Sequence, residues 1–161
     1  MKRMLLLFFT LIVAVSDWTM SFEDIAERIA STLEMTREEV QTCFHKAKAT
    51  LEGLMRLDEV YEDKLQIMDF NDSTLRVGCF FACLGQKKGV MTGARVNVDY
   101  IKEILSHKKV EDNILARILQ ALDGCTNKVR SITNECEVSL KCIMCFTHEM
   151  ERIYSSIYID E

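Results

Sequence analysis

The chain has 161 residues and a formal net charge of −5, from 25 acidic and 20 basic side chains, a sign that disfavours nucleic acid or an anionic membrane surface as partner. Its length fits one domain with enough chain to bury a core. The absence of proline and a count of only six glycines favour helices over the turn-dense layout of a small β-protein.

Met1-Lys2-Arg3 and the apolar run Met4–Val15 lead to Ala14-Val15-Ser16. A charged start, a short apolar stretch and small residues at this spacing are expected of a secretory signal. The run is shorter than the roughly 20 residues of a membrane span. Residues 1–16 are therefore expected to leave, with Met20 or Ser21 as alternative ends, and residues 17–161 to form the mature domain. Lys2 and Arg3 go with the leader and no acid does, so the charge moves from −5 to −7.

Ser21 is placed to cap a first helix, with Glu23 and Asp24 suited to the positive end of its dipole and Phe22, Ile25, Ile29 and Leu33 along one stripe. Thr36 and Glu39 form a capping-box pattern for a second helix that carries Cys43 and Phe44 to about Lys48. Residues 50–70 are ambiguous, with a short helix suggested by Leu51, Leu54, Met55 and Leu57. A helix over 72–86 can be capped from Asn71-Asp72-Ser73-Thr74 and is stopped by Lys87-Lys88-Gly89. Residues 90–95 are expected to be a loop, and Asn97 to open a short helix bearing Val98, Ile101, Ile104 and Leu105. The amphipathic pattern from Asp112 to Val129 is the cleanest, with Ile114, Ile118, Leu122, Cys125 and Val129 on one face. The last helix, about 136–154, is apolar on nearly every side, which predicts a central position surrounded by other helices. The apolar tail Ile153–Ile159 follows.

Cys79 and Cys83 lie four apart in the 72–86 helix, with Cβ atoms roughly 5–6 Å apart. A disulfide needs about 3.5–4.5 Å, so the two should not bond each other. Each must reach another part of the chain, which makes this helix a hub. Cys43, Cys125, Cys136, Cys142 and Cys145 are the available partners. An exported chain permits bridges, which come before metal ligation as a reading of these sulfurs. With Cys142 set aside, six cysteines still allow fifteen pairings.

Those six are spaced C-x35-C-x3-C-x41-C-x10-C-x8-C. Together with Lys87-Lys88-Gly89-Val90-Met91 and Asn97-Val98-Asp99, the spacing resembles the insect odorant-binding proteins, over about residues 22–154. The first gap is longer than is usual in that family, and Cys142 is extra. The resemblance implies an all-α bundle of about six helices, stapled by three interlocked disulfides around an apolar cavity. Their order would be Cys43–Cys83, Cys79–Cys136 and Cys125–Cys145. It implies a secreted, extracellular carrier of a small hydrophobic ligand such as an odorant, a pheromone or a lipid-like molecule. No cofactor, catalysis, nucleic acid or stable membrane insertion goes with it, whereas a homodimer or contact with a chemoreceptor is compatible with it.

Candidate cavity-wall residues are Leu75, Phe80, Met91, Ile101, Leu119, Leu122, Phe146 and Met150, each of which would serve equally as solid core. Tyr154 and Tyr158 offer a hydroxyl to a polar ligand head or sit amphipathically at the surface. The tail around Ile157 is either a lid or a frayed end. Cys142 is expected to be a buried thiol, with an intermolecular bridge as the alternative. Asn71-Asp72-Ser73 is both a glycosylation sequon and a helix cap. His45, His107 and His148 lack metal-binding spacing. A solvated or capping role suits each, and His107, before Lys108-Lys109, is the candidate for pH-dependent release. No nucleophile elbow or phosphate loop is present. The competing class is a disulfide-stapled signalling or recognition protein that acts through its surface and holds no ligand.

Overall fold

Two capping boxes start the N-terminal half. In a computed structural model, residues 21–57 and 72–159 are described, the side chains of 157–159 excepted. The expected leader, the sequon residue Asn71 and the Tyr158 side chain lie outside them. Helix α1 runs Phe22–Leu33 and α2 runs Arg37–Ala47. The Asp24 amide donates to Ser21 Oγ at 3.3 Å and the Ser21 amide donates back to the Asp24 carboxylate at 3.2 Å. Thr36 and Glu39 repeat the exchange at 3.2 and 2.9 Å. Each box satisfies donors that a helix start leaves unpaired. The hydrogen bonds from the Thr36 backbone and then its side chain hold the Glu39 carboxyl below its ordinary pKa. Both helices stop on a left-handed residue, Glu34 and Lys48, each at φ 52°.

Short α3 (Leu51–Met55) is capped by Thr50, whose hydroxyl accepts from the Gly53 amide at 3.0 Å. The hub helix is α4, Asp72–Lys87, and Gly89 follows it at φ 76°, a conformation that glycine reaches without steric cost. Where a loop was expected, β1 (Met91–Thr92) pairs antiparallel with β2 (Arg95–Val96) around Gly93. Then come α5 (Val98–Ser106), α6 (Asp112–Val129) and α7 (Glu135–Ile159). Asn97 precedes α5 but makes no side-chain cap. Its side-chain Nδ2 donates instead to the Gly89 carbonyl at 2.6 Å and to Thr92 Oγ1 at 3.0 Å, which ties the hairpin together. Helix α7 continues five residues past the predicted end at 154, through Ile159, so the apolar tail belongs to it.

The core grows from the stripes. Phe22 of α1 stacks on Phe44 of α2 at 3.8 Å, and Phe44 meets Phe80 of α4 edge-on at 5.5 Å. Ala26 and Ala30 let α1 sit close against this cluster. Helix α7 packs against both α4 and α6 and buries Val138 and Leu140 completely. The expected central position is shared: α7 is covered by these two helices, whereas α4 packs against α2, α3, α7 and β1. Among the described residues, no helix is long and apolar enough to cross a membrane.

The sulfurs join as the family order implies. Cys43–Cys83 ties α2 to α4, Cys79–Cys136 ties α4 to α7, and Cys125–Cys145 ties α6 to α7. At the middle staple the two Cα atoms are 4.1 Å apart. Gly78 permits that approach, because a β-carbon there would overlap the Cys136 carbonyl oxygen and stand 3.0 Å from Leu140 Cβ.

Candidate ligand cavity

Helix α5 is amphipathic, with Ile101, Ile104 and Leu105 on one face, yet none of its residues is fully buried. A half-buried apolar stripe either meets solvent or borders a space within the fold, and Ile101, Ile104 and Leu105 border a space. That space is a cavity of about 460 Å³ between α5 and α4. Phe81, Leu84 and Gly85 form the α4 wall, and Ile101, Ile104 and Leu105 form the wall opposite. Leu33 at the end of α1, Val90 and Ile143 of α7 complete the apolar lining. Leu84 is 2% exposed, while the other apolar walls are only half-buried. Gly85 adds no side chain to the space, and a β-carbon there would press on Met91 Cγ and Sδ at 3.2 Å.

Polar groups are few and sit at the rim. Lys88, Lys108, Glu34 and Tyr100 reach it from three helix ends and the start of α5, and Tyr100 is 43% exposed. Helix α5 is held from behind. Its Lys102 pairs with Asp123 of α6 at 2.8 Å, and Leu105 packs on the cluster of Ile118, Ala121 and Ile153. The ion pair is largely solvated and contributes at most about 1 kcal/mol, so the apolar contact is the stronger hold.

Of the wall candidates read from sequence, Ile101 lines this cavity. Phe80 is wholly buried in the aromatic cluster, and Met91 packs with Ala82, Val129 and Val138. Phe146 and Met150 pack behind α5 on the Ile118 cluster. Leu75, Leu119 and Leu122 also lie outside the lining, and Tyr154 is 48% exposed. Phe81, Leu84, Ile104, Leu105 and Ile143 were missed as walls. The signal for Ile104 and Leu105 was present in the stripe they share with Ile101.

Cys142 is half-buried against the Met91 cluster, and burial pushes its thiol up to about 11. His45 and His107 are exposed and His148 is half-buried. Among the described residues, no group of three His, Cys, Asp or Glu could hold a metal ion.

A model of the PBP/GOBP family matches residues 26–149. The pheromone-binding protein Gp-9 of Solenopsis globularia littoralis is 27% identical over 143 residues, covering 86% of this chain and 85% of that protein. The Gp-9 proteins of Solenopsis nigella gensterblumi and Solenopsis richteri are each 24% identical over 139 residues, covering 83% of this chain and 84% of theirs. No solved structure matches the chain. The matched span holds all three staples and every described residue that lines the cavity, and by it the chain belongs to the PBP/GOBP family of insect odorant-binding proteins.

Proposed function

We propose that this chain is a secreted carrier that holds one small hydrophobic molecule in the cavity between α4 and α5. The observation that carries the reading is α5 itself, whose apolar face is turned inward and left uncovered. A volume of about 460 Å³ lies within the range of small-molecule sites, which are mostly apolar with a few polar groups to orient the ligand. The pheromone-binding relatives point the same way. The binder reading also agrees with the cysteines, six of which are spent on bridges. The leader, residues 1–16, would be lost on export, leaving 17–161 as the working domain.

The test is displacement of a fluorescent apolar probe, N-phenyl-1-naphthylamine. One saturable site per chain is expected. Ile104→Asp should weaken it about tenfold or more, since an ionised carboxylate is costly in an apolar site. The melting temperature should move little, because Ile104 supports no packed core. No saturable uptake, or full uptake by Ile104→Asp, would sink the reading in favour of a protein acting through its surface.

Release is the second part of the same reading. His107 follows the last residue of α5, next to Lys108 on the rim, which puts an imidazole beside the mouth. Probe affinity should fall from about pH 7 to about pH 5 in the unmodified chain and stay level in His107→Gln. A flat profile in the unmodified chain removes this part and leaves the carrier standing.

A further inference from the structure

A second cleft, of about 640 Å³, lies between the hairpin and the end of α6 and shares no lining residue with the α4–α5 cavity. Its base is apolar. Val96, Val129 and Ile132 line it, and the same residues pack into the core cluster with Ala82 and Val138. Its sides carry Arg95, from β2, and Arg130, just past α6. Both are exposed. Among the described residues neither guanidinium has an ion-pair or hydrogen-bond partner. Among the described residues no carboxylate lines the cleft, although acids outnumber bases in the chain. Two unneutralised arginines in one apolar-floored cleft are therefore a local excess of positive charge against the sign of the whole.

Both walls are fixed before any ligand arrives. The hairpin is held by the Asn97 side chain, which donates to Gly89 and Thr92, and by Gln86, which donates to the Gly93 carbonyl at 3.5 Å and is itself fixed by donating to Glu135 at 2.7 Å. The segment after α6 is pinned where the Ile132 amide donates to the Val129 carbonyl at 3.0 Å. Beyond it, Asn134 accepts from the Cys136 and Glu137 amides at 2.9 and 3.1 Å. The staples at Cys125 and Cys136 bracket this wall. A rigid site loses little entropy on binding. A guanidinium presents forked donors that match a carboxylate, and the base suits hydrocarbon.

We infer that this cleft is a second binding site, which takes a small carboxylate amphiphile with its head between Arg95 and Arg130 and its chain on Val96, Val129 and Ile132. The test uses octanoate, octanol and inorganic phosphate on the full mature chain, with the α4–α5 cavity first saturated by N-phenyl-1-naphthylamine. Backbone amide shifts should move over 92–98 and 127–133 with octanoate, and much less with octanol or phosphate. The double variant Arg95→Gln, Arg130→Gln should bind octanoate about tenfold more weakly or worse, since charge-assisted hydrogen bonds are the strong ones. Its uptake of the fluorescent probe should be unchanged, which shows that it has folded. The inference is overturned if octanoate moves no amide in these two segments, if octanol or phosphate moves them as much, or if the double variant binds octanoate as the parent does. Because the shift mapping uses the unmodified chain, a variant that fails to fold leaves the test decisive.

Discussion

Gly78 and Gly124 look alike in sequence, each a glycine inside a helix next to a bridging cysteine, but their surroundings set opposite outcomes for the same methyl. At Gly78 the methyl would overlap the Cys136 carbonyl oxygen, whereas at Gly124 nothing lies within 4 Å. Gly78→Ala should destabilise by about 1–3 kcal/mol, as overpacking does when backbone cannot move aside. Gly124→Ala should stabilise by about 0.5–1 kcal/mol through helix propensity alone. Urea melts of the two variants check the pair, and equal shifts would contradict the close approach of α4 and α7. Cys142 is the other residue whose surroundings decide its chemistry. A thiol raised from 9.0 to about 11 stays protonated at neutral pH and is a poor nucleophile. Iodoacetamide at neutral pH should leave it unmodified in the native chain, and non-reducing electrophoresis should show monomer. Its linkage has a definite sign. The folded pKa is the higher, so the unfolded chain loses its proton first, and stability falls as pH rises from about 9 to about 11. In Cys142→Ala that part of the alkaline loss should disappear.

Helices with strong local punctuation were legible as elements. The Ser21 cap, the Thr36 box, the stripe from Asp112 to Val129 and the glycine after Lys88 each put a boundary within a residue or two of its place. The hairpin was not legible, because two-residue strands carry no period and Gly89, Gly93 and Asn97 suit a loop, a turn or a cap equally well. Only the tertiary position of Asn97 commits its amide to the hairpin. The end of α7 was missed for a related reason. Ile153 begins what looks like a separate apolar tail, but it is 5% exposed and packs with Ile118 and Ala121, and the helix carries on from there. The cavity wall was hardest to read. Periodicity identifies the inward face of a helix and says nothing of whether the space it meets is filled. Phe80 and Phe81 are neighbours on α4, yet Phe80 is packed solid and Phe81 borders the cavity. Helix α5 differs from every other helix of eight residues or more whose buried residues are described, since each of those buries at least two. This is why Ile104→Asp belongs with changes that remove binding and leave stability.

At the scale of the whole molecule the staples decide whether the cavity can persist. The sequence limited Cys79 and Cys83 to separate partners, but only the family spacing chose among the fifteen pairings. That choice spans separations of 40, 57 and 20 residues. In the chain-entropy account each closure restricts the unfolded chain by about 3–4 kcal/mol, and the three together by roughly 10 kcal/mol. A domain of this kind has a net stability of only about 5–15 kcal/mol. A fold that leaves the inner face of one helix uncovered forgoes part of the burial a solid core would have, so its own packing should lie toward the lower end. Full reduction with a phosphine should therefore abolish cooperative unfolding and most of the helical circular dichroism at 37 °C, and probe binding should be lost with them. Partial loss has a direction too. Opening Cys43–Cys83 frees α2, on which α1 and its wall residue Leu33 rest. Opening Cys125–Cys145 frees α6, which supports α5 from behind. Each double cysteine-to-alanine variant should thus weaken the probe along with the fold. A reduced chain that kept its melting transition and its ligand would mean that helix packing alone holds the space open, and the staples would lose their place in the mechanism.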